Sequence, residues 1–126
     1  MNTILSPLKL FAISIVAGIL HWAAMIFVTD GYLIAILQGL HGFEFGFFWL
    51  AIVDIVSQKT KHIPATGQTI LSAAIGGIGA GGGIYLGSWI VDSYSTIHMF
   101  QCGVVLEILS LVIVGLIVWR GRHESV

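Results

Sequence analysis

Four long apolar stretches divide the chain, and short polar segments separate them. They run from about Leu8 to Val28, Gly31 to Val56, Thr66 to Val91 and Ile97 to Trp119. Each is close to the roughly 20 residues that a helix needs to cross the hydrocarbon core of a bilayer. The pattern therefore predicts an all-α, polytopic membrane protein, with four transmembrane helices in a single transmembrane domain, residues 1–126.

The positively charged residues indicate how these helices are oriented. They lie at the start of the first helix, between the second and third, and after the fourth: Lys9, Lys59, Lys61, Arg120 and Arg122. These places share one side of a four-helix meander, and the connections on the other side contain no Lys or Arg. Because cytoplasmic loops of membrane proteins are enriched in Lys and Arg, we expect an inner-membrane protein with both termini in the cytoplasm.

The composition excludes several other classes of protein. The chain is 57% hydrophobic and 9% charged, whereas soluble domains carry about a quarter charged residues. A net charge of −1 provides no basic surface for nucleic acid. The single cysteine, Cys102, cannot form an internal disulfide, and we find no spacing typical of a metal or cofactor site. The predicted partner is thus the lipid bilayer, with no cofactor and no metal.

A stripe of polar residues interrupts the second predicted helix. Gln38, His41 and Glu44 follow one another at three-residue spacing, so they lie along one side of the helix. Because a helix rises 1.5 Å per residue, His21 of the first helix lies at a depth similar to that of His41, across a short hairpin. His21, His41 and Glu44 are therefore predicted to meet between these two helices.

This stripe suggests proton chemistry. A carboxyl in an apolar wall loses hydration when it is charged, which favours a protonated form that releases its proton when water or a cation arrives. An imidazole titrates in the physiological range and can hydrogen-bond such a carboxyl. Glu44 and His41 are thus candidates for proton coupling, or else for a neutral pair that only ties helices together. Glu107 has no histidine one turn away and is interpreted as a hydrogen-bonding link between helices.

Two sets of glycines at four-residue spacing predict close helix packing. Gly42 and Gly46 share a face of the second helix, and Gly79, Gly83 and Gly87 share a face of the third. Small residues allow transmembrane helices to approach closely. A run this rich in glycine also softens a helix, so the third helix is a candidate for bending or sliding. No GK[ST] follows the run, which argues against a phosphate-binding loop.

The order of the helices and the stretch Leu40-His41-Gly42-Phe43-Glu44 resemble helices nine to twelve of the major facilitator superfamily. The resemblance is to the branch that holds the lactose-permease-type oligosaccharide:proton symporters and the phenylpropionate- and nucleoside-permease-like proteins. Helix ten of the symporters carries a Leu-His-x-Phe-Glu motif, whose histidine helps to bind substrate and whose glutamate carries the coupled proton. The resemblance implies these roles for His41 and Glu44.

The resemblance also places His21, Gln38 and Phe48 in the substrate cavity. This chain has His21 where the family has an arginine, and Gln38 where the family has a lysine. The absence of both fixed cations leaves Glu44 less paired and easier to protonate than the resemblance alone would imply. The resemblance covers nearly the whole chain, but only about a third of a fold in which two six-helix halves surround a cavity.

We therefore expect a C-terminal segment of a proton-coupled secondary transporter, a symporter for a sugar, nucleoside or small aromatic acid. It would not be an enzyme, since no nucleophile, base and orienting group stand together. Its partners would be the bilayer, protons, a small polar or aromatic solute, and either the missing N-terminal helices or a second copy. One alternative is a self-contained, homodimeric small multidrug-type transporter, although such proteins carry their essential glutamate in the first helix. Another is a non-transporting subunit of a membrane complex.

Overall fold

The computed structural model describes the backbone of residues 6–123 and the side chains of residues 6–120. It contains α1 (Pro7–Phe27), α2 (Gly31–Lys59), α3 (Pro64–Ser72), a π-helical segment (Ala73–Gly81), α4 (Gly82–Ser93) and α5 (Thr96–His123). Helix α3, the π-helical segment and α4 follow one another without a break and form a third span. The described residues thus include four helices long and apolar enough to cross a membrane: Pro7–Phe27, Gly31–Lys59, Pro64–Ser93 and Thr96–Arg120. This confirms the predicted all-α fold.

Local sequence signals explain where the helices begin. Pro7 and Pro64 stand in the first turns of α1 and α3, where a missing N–H removes no helical hydrogen bond. Asp30 caps α2, because its Oδ1 accepts hydrogen bonds from the backbone N–H groups of Tyr32 and Leu33, both at 3.0 Å. The connection between α1 and α2 is therefore a tight, capped hairpin, and the two helices must run antiparallel.

Helix α1 lies at the centre of the described structure. It packs against both α2 and α5, whereas the third span contacts α2 only through α3 and α5 only through α4. The buried residues of α1 are Ser14, Ile15, Gly18 and His21. Their three- and four-residue spacing places them along one side of the helix. This side of α1 is where the polar groups of α2 and α5 converge.

The cation-bearing segments lie at one end of the helices. Leu8 of α1, Lys59 of α2 and Ile117 of α5 line a common pocket there. This arrangement agrees with the meander that the charge pattern predicts. A cytoplasmic location for this end remains a prediction, and the side chain of Arg122 lies outside the described residues.

The glycine sets have few neighbours within the described residues. A Cβ at Gly87 would lie 3.6 Å from Sδ of Met99, on α5. Open space surrounds the corresponding positions at Gly42, Gly46 and Gly83, and the nearest atom to such a Cβ at Gly79 is a carbonyl of its own helix. Gly87 therefore packs within the chain, while close packing by the other four remains a prediction about further helices.

The glycine run of the third span adopts a π-helical conformation over Ala73–Gly81. Hydrogen bonds in such a segment join residues five apart, which widens the helix, and π-helical turns often occur at functional sites. Glycine tolerates this geometry because it lacks a Cβ that would restrict the backbone. The segment gives the predicted bending of the third span a definite location, although the bending itself remains a prediction.

Candidate functional site

A histidine without hydrogen bonds lies in the middle of the helix packing. His21 is on the buried side of α1, and only 2% of it is exposed. Neither Nδ1 nor Nε2 has a hydrogen-bond partner among the described residues. A buried polar group without partners costs about 1–3 kcal/mol. Burial of this imidazole without a hydrogen bond therefore has a cost in stability.

Two groups of α2 face this imidazole. His41 Nδ1 and Glu44 Oε2 form a hydrogen bond of 3.1 Å, one helical turn apart. The same Oε2 lies 3.8 Å from His21 Nδ1, and the rings of His21 and His41 stack with their centroids 4.8 Å apart. The structure thus brings together the three residues whose meeting the sequence predicts.

The hydrogen bond between His41 and Glu44 can form with the proton on either partner. An ionised Glu44 accepts from the Nδ1–H of His41, and a protonated Glu44 donates to a bare Nδ1. Glu44 is 12% exposed at its side chain and His41 is 42% exposed. The bond therefore joins a buried carboxyl to an imidazole that reaches the surface of the helices.

The second oxygen of Glu44 faces a different group. A Cβ at Gly18 would lie 3.0 Å from Glu44 Oε1 and 3.1 Å from Glu107 Oε1. Two carboxyls, from α2 and α5, therefore approach the same point of α1, where the side chain of residue 18 is only a hydrogen. The sequence interpreted Glu107 as a hydrogen-bonding link between helices, and it did not predict this approach to Glu44. Among the residues with described side chains, Glu107 forms no hydrogen bond. Gly18, one turn before His21, is a signal that could have indicated it.

A cavity of about 260 Å³ opens beside the two carboxyls. Its lining residues come from α1, α2 and α5: Phe11, Ser14, Ile15, Glu44, Phe45, Phe48, Glu107 and Ser110. The hydroxyls of Ser14 and Ser110 donate to carbonyls of their own helices, those of Phe11 and Leu106, at 2.8 and 2.9 Å. Each serine oxygen keeps acceptor capacity toward the cavity. The cavity is thus lined by aromatic rings together with carboxyl and hydroxyl oxygens.

Of the three residues predicted for a substrate cavity, the structure places one in the cavity wall and two outside it. Phe48 lines the cavity, and its ring lies 5.7 Å from that of Phe11. His21 lies beside Glu44 but does not line the cavity. Gln38 is exposed and is not part of the cavity wall. The three-residue spacing that groups Gln38 with His41 and Glu44 drifts around a 3.6-residue helix, so the stripe turns away from α1.

Trp22 covers the imidazoles on the side of α5. Its ring centroid lies 5.3 Å from that of His21 and 5.8 Å from that of Phe100. A Cβ at Gly103 would lie 3.1 Å from the indole. Because Gly103 has no side chain, the indole can lie against α5, and it shields His21 from that side.

Charge at this cluster comes from carboxyls and imidazoles. Within residues 6–120, the ion pairs of Glu44 are with His21 and His41, and no Lys or Arg pairs with either glutamate. The donor atoms of His21, His41 and Glu44 lie within 4.8 Å of one another, close enough to hold a metal ion. The hydrogen bond already formed between His41 and Glu44 shows that the same geometry also suits a proton.

Comparison with known proteins identifies the family. A family model described as the MFS_1 like family matches residues 2–102, which is most of the chain. No curated protein and no solved structure matches the chain. The matched region includes α1, α2 and the third span, with the cluster of His21, His41 and Glu44, while Glu107 lies beyond it. The chain is a multi-pass membrane protein that belongs to the MFS_1 like family, a family of transporters.

Proposed function

We propose that this chain forms part of a proton-coupled symporter for a sugar, nucleoside or small aromatic acid, similar to the lactose-permease-type branch. One observation supports this above all others. Glu44 is buried near the middle of α2, is hydrogen-bonded to His41 at 3.1 Å and borders a cavity. An ionisable residue within a transmembrane helix is rare and usually serves a transport pathway or a proton relay.

Coupling would depend on the hydration of Glu44. When water is excluded, a buried carboxyl is more stable protonated than charged. When a conformational change admits water, the proton can leave through the hydrogen bond to His41, whose ring is partly exposed. A solute that fills the cavity excludes water and so favours the protonated carboxyl. Solute and proton would therefore bind together.

The cavity wall suits the proposed class of solute. Phe11, Phe45 and Phe48 offer aromatic faces to a sugar ring, a base or a phenyl group. Ser14 and Ser110 offer oxygen acceptors nearby. Ligand sites combine a mostly apolar wall with a few placed polar groups in this way. We propose that Phe48 contacts the solute, that His21 acts beside Glu44 without lining this cavity, and that Gln38 belongs to a wall completed by another helix.

Further helices would complete the site. Gln38 is exposed, and open space adjoins Gly42, Gly46 and Gly83. Small residues on an open helix face favour close contact with another transmembrane helix. We propose that N-terminal helices of the same transporter, or a second copy of the chain, occupy this face in the inner membrane, with the cation-bearing ends in the cytoplasm.

Membrane vesicles from the native host, which retain any partner helices, provide the test. Vesicles carrying the wild-type chain, Glu44→Gln or no chain would be given an inward proton gradient and radiolabelled lactose, uridine or 3-phenylpropionate. We expect accumulation of one of these solutes to require the chain and to be lost in Glu44→Gln, which mimics the protonated carboxyl, while exchange of labelled for unlabelled solute continues.

Asp54→Asn is the matched control for this experiment. Asp54 lies on the same helix but is hydrogen-bonded to Gln58, away from the cluster, so this variant should accumulate solute normally. Normal accumulation by Glu44→Gln would refute the proposal. Proton-driven uptake by the purified chain alone, in liposomes, would instead favour the self-contained homodimeric transporter.

A further inference from the structure

Glu44 has two oxygens with different surroundings, and the proposed coupling uses only one of them. Its Oε2 faces His41 and His21. Its Oε1 lies against Gly18, where Glu107 Oε1 from α5 also lies. Both carboxyls line the same cavity of about 260 Å³. Nothing in the family assignment accounts for Glu107, which lies beyond the matched residues.

Two charged carboxyls at this depth would repel each other without a compensating cation. Within residues 6–120, Glu107 accepts no hydrogen bond and forms no ion pair. The cluster also contains His21, which is 2% exposed, has no hydrogen-bond partner and lies 3.8 Å from Glu44 Oε2. The histidines lie on the Oε2 side of Glu44, so no hydrogen bond or ion pair among the described side chains compensates charge on the Oε1 side, where Glu107 lies. A proton bound by one of the two carboxyls would remove the repulsion between them.

We propose that Glu44 and Glu107 share one proton across Gly18, so that the coupling carboxyl is a pair between α2 and α5. This inference rests on the proposed function, and it adds Glu107 as a second proton-carrying residue. In the proton-loaded state one carboxyl is neutral and the other carries the single negative charge. Transfer breaks the O–H bond of the first carboxyl and forms the O–H bond of the second, with no change in the charge of the pair.

The pair would join α2 to α5, between which the part of the chain with described side chains shows no hydrogen bond or ion pair. Glu44 is hydrogen-bonded to His41 through Oε2, and its Oε1 faces Gly18, beside Glu107. A proton passed across Gly18 would therefore travel from His41 through Glu44 to the side of α5. The titratable groups that interact with Glu107 are Glu44 and His41 of α2, and His21 of α1 lies behind them, beside Glu44. Helix α4, which also packs on α5, contributes no residue to the lining of this cavity. The two carboxyls could therefore share a proton only while α2 and α5 remain close together.

Infrared spectroscopy of the full chain in liposomes tests the pair directly, because a protonated carboxyl has its own C=O stretching band. The band would be titrated with pH in the wild type, Glu44→Gln, Glu107→Gln and the double variant, with a metal chelator present. Carboxyls that share a proton interact by more than about one pK unit. Removing either carboxyl should therefore move the titration midpoint of the other by more than about one pH unit. The double variant should lose the C=O bands of both carboxyls.

Two further variants separate proton sharing from a packing role. Glu107→Gln keeps the size of the side chain but removes the carboxyl, whereas Glu107→Asp keeps the carboxyl but shortens the side chain. Proton sharing should therefore survive in Glu107→Asp and be lost in Glu107→Gln, and a packing role would give the reverse. Asp92→Asn removes an exposed carboxyl outside the cluster and should leave both midpoints unchanged. In host vesicles, Glu107→Gln should lose proton-driven accumulation while solute exchange continues, and Glu107→Asp should retain both.

The outcomes distinguish this inference from the proposed function. If Glu44 titrates identically in the wild type and in Glu107→Gln, and Glu107→Gln vesicles accumulate solute normally, the shared proton is refuted while Glu44 remains the coupling carboxyl. If the two carboxyls interact but Glu44→Gln vesicles still accumulate solute, the proposed function fails and the pair stands as a proton site without that role.

Discussion

At the scale of single residues, the candidate site depends on a glycine, Gly18, whose lack of a side chain leaves room for two carboxyls. Gly18 lies one turn before His21 on the buried side of α1. A Cβ there would lie 3.0 Å from Glu44 Oε1 and 3.1 Å from Glu107 Oε1, closer than most carbon contacts in proteins. Gly18 therefore sets how closely α2 and α5 can bring their carboxyls to α1.

Gly18→Ala should destabilise the chain and separate the carboxyls. Overpacking a tight interior by one methyl group costs about 1–3 kcal/mol, and we expect a loss of that size in unfolding measurements in detergent micelles. Gly115→Ala is the control, because open space surrounds that position on α5. Alanine there should stabilise the helix by about 0.5–1 kcal/mol. Equal stability of Gly18→Ala and the wild type would mean that the carboxyls do not press against α1.

At the scale of helices, the four spans have unequal roles. Helix α1 packs against α2 and α5 and carries the buried polar residues, whereas the third span contacts its sequence neighbours only near the ends. The third span also contains the π-helical segment, and most of its glycines are exposed. The first, second and fourth spans thus build the site, and the third span is available for contacts with other helices.

Replacing Gly83 with leucine should weaken those contacts. Gly83 lies on the face shared with Gly79 and Gly87, and open space adjoins it. A large side chain would keep another helix from approaching closely, so we expect less association of labelled chains by energy transfer in liposomes. Gly81→Leu is the control, since two residues turn an α-helix by about 200°. Equal effects of the two variants would argue against a specific glycine face.

At the scale of the whole molecule, charge is distributed unevenly along the membrane normal. The ends that carry Lys9, Lys59 and Arg120 lie together, and Asp30 and Asp92 lie toward the opposite end. In the membrane interior, the cluster of imidazoles and carboxyls supplies the titratable groups of the site. The cluster therefore lies between an end that carries the cationic residues and an end that carries Asp30 and Asp92.

Cysteine labelling can determine the orientation of these ends. In a Cys102→Ser background, we expect a membrane-impermeant maleimide added outside intact cells to modify Ser95→Cys, in the connection between α4 and α5. It should not modify Lys61→Cys, because segments rich in Lys and Arg stay in the cytoplasm. Permeabilised cells serve as the control, in which both cysteines should react. Labelling of Lys61→Cys from outside would reverse the proposed orientation.

The sequence alone determined the number of spans and part of the site. Apolar runs near the length of a bilayer crossing identify helices because the backbone in lipid must satisfy its own hydrogen bonds. His21 and His41 lie at similar distances from the short hairpin around Asp30, so they lie at similar depths in the membrane. Their meeting could therefore be predicted by counting residues. Both are local properties, since they depend on residues close together along the chain.

Only the tertiary structure decided what the other helices bring to the site. Glu107 is separated from Glu44 by two connections and a whole span, and no local pattern fixes how α5 is rotated about its axis against α1. The packing of the three helices around Gly18 places both glutamate carboxyls near the same point of α1. The exposure of Gln38 has the same origin, because the face of α2 that is buried depends on where α1 lies. Spacing along a helix predicts which residues share a side, and contacts between helices decide which side is inside.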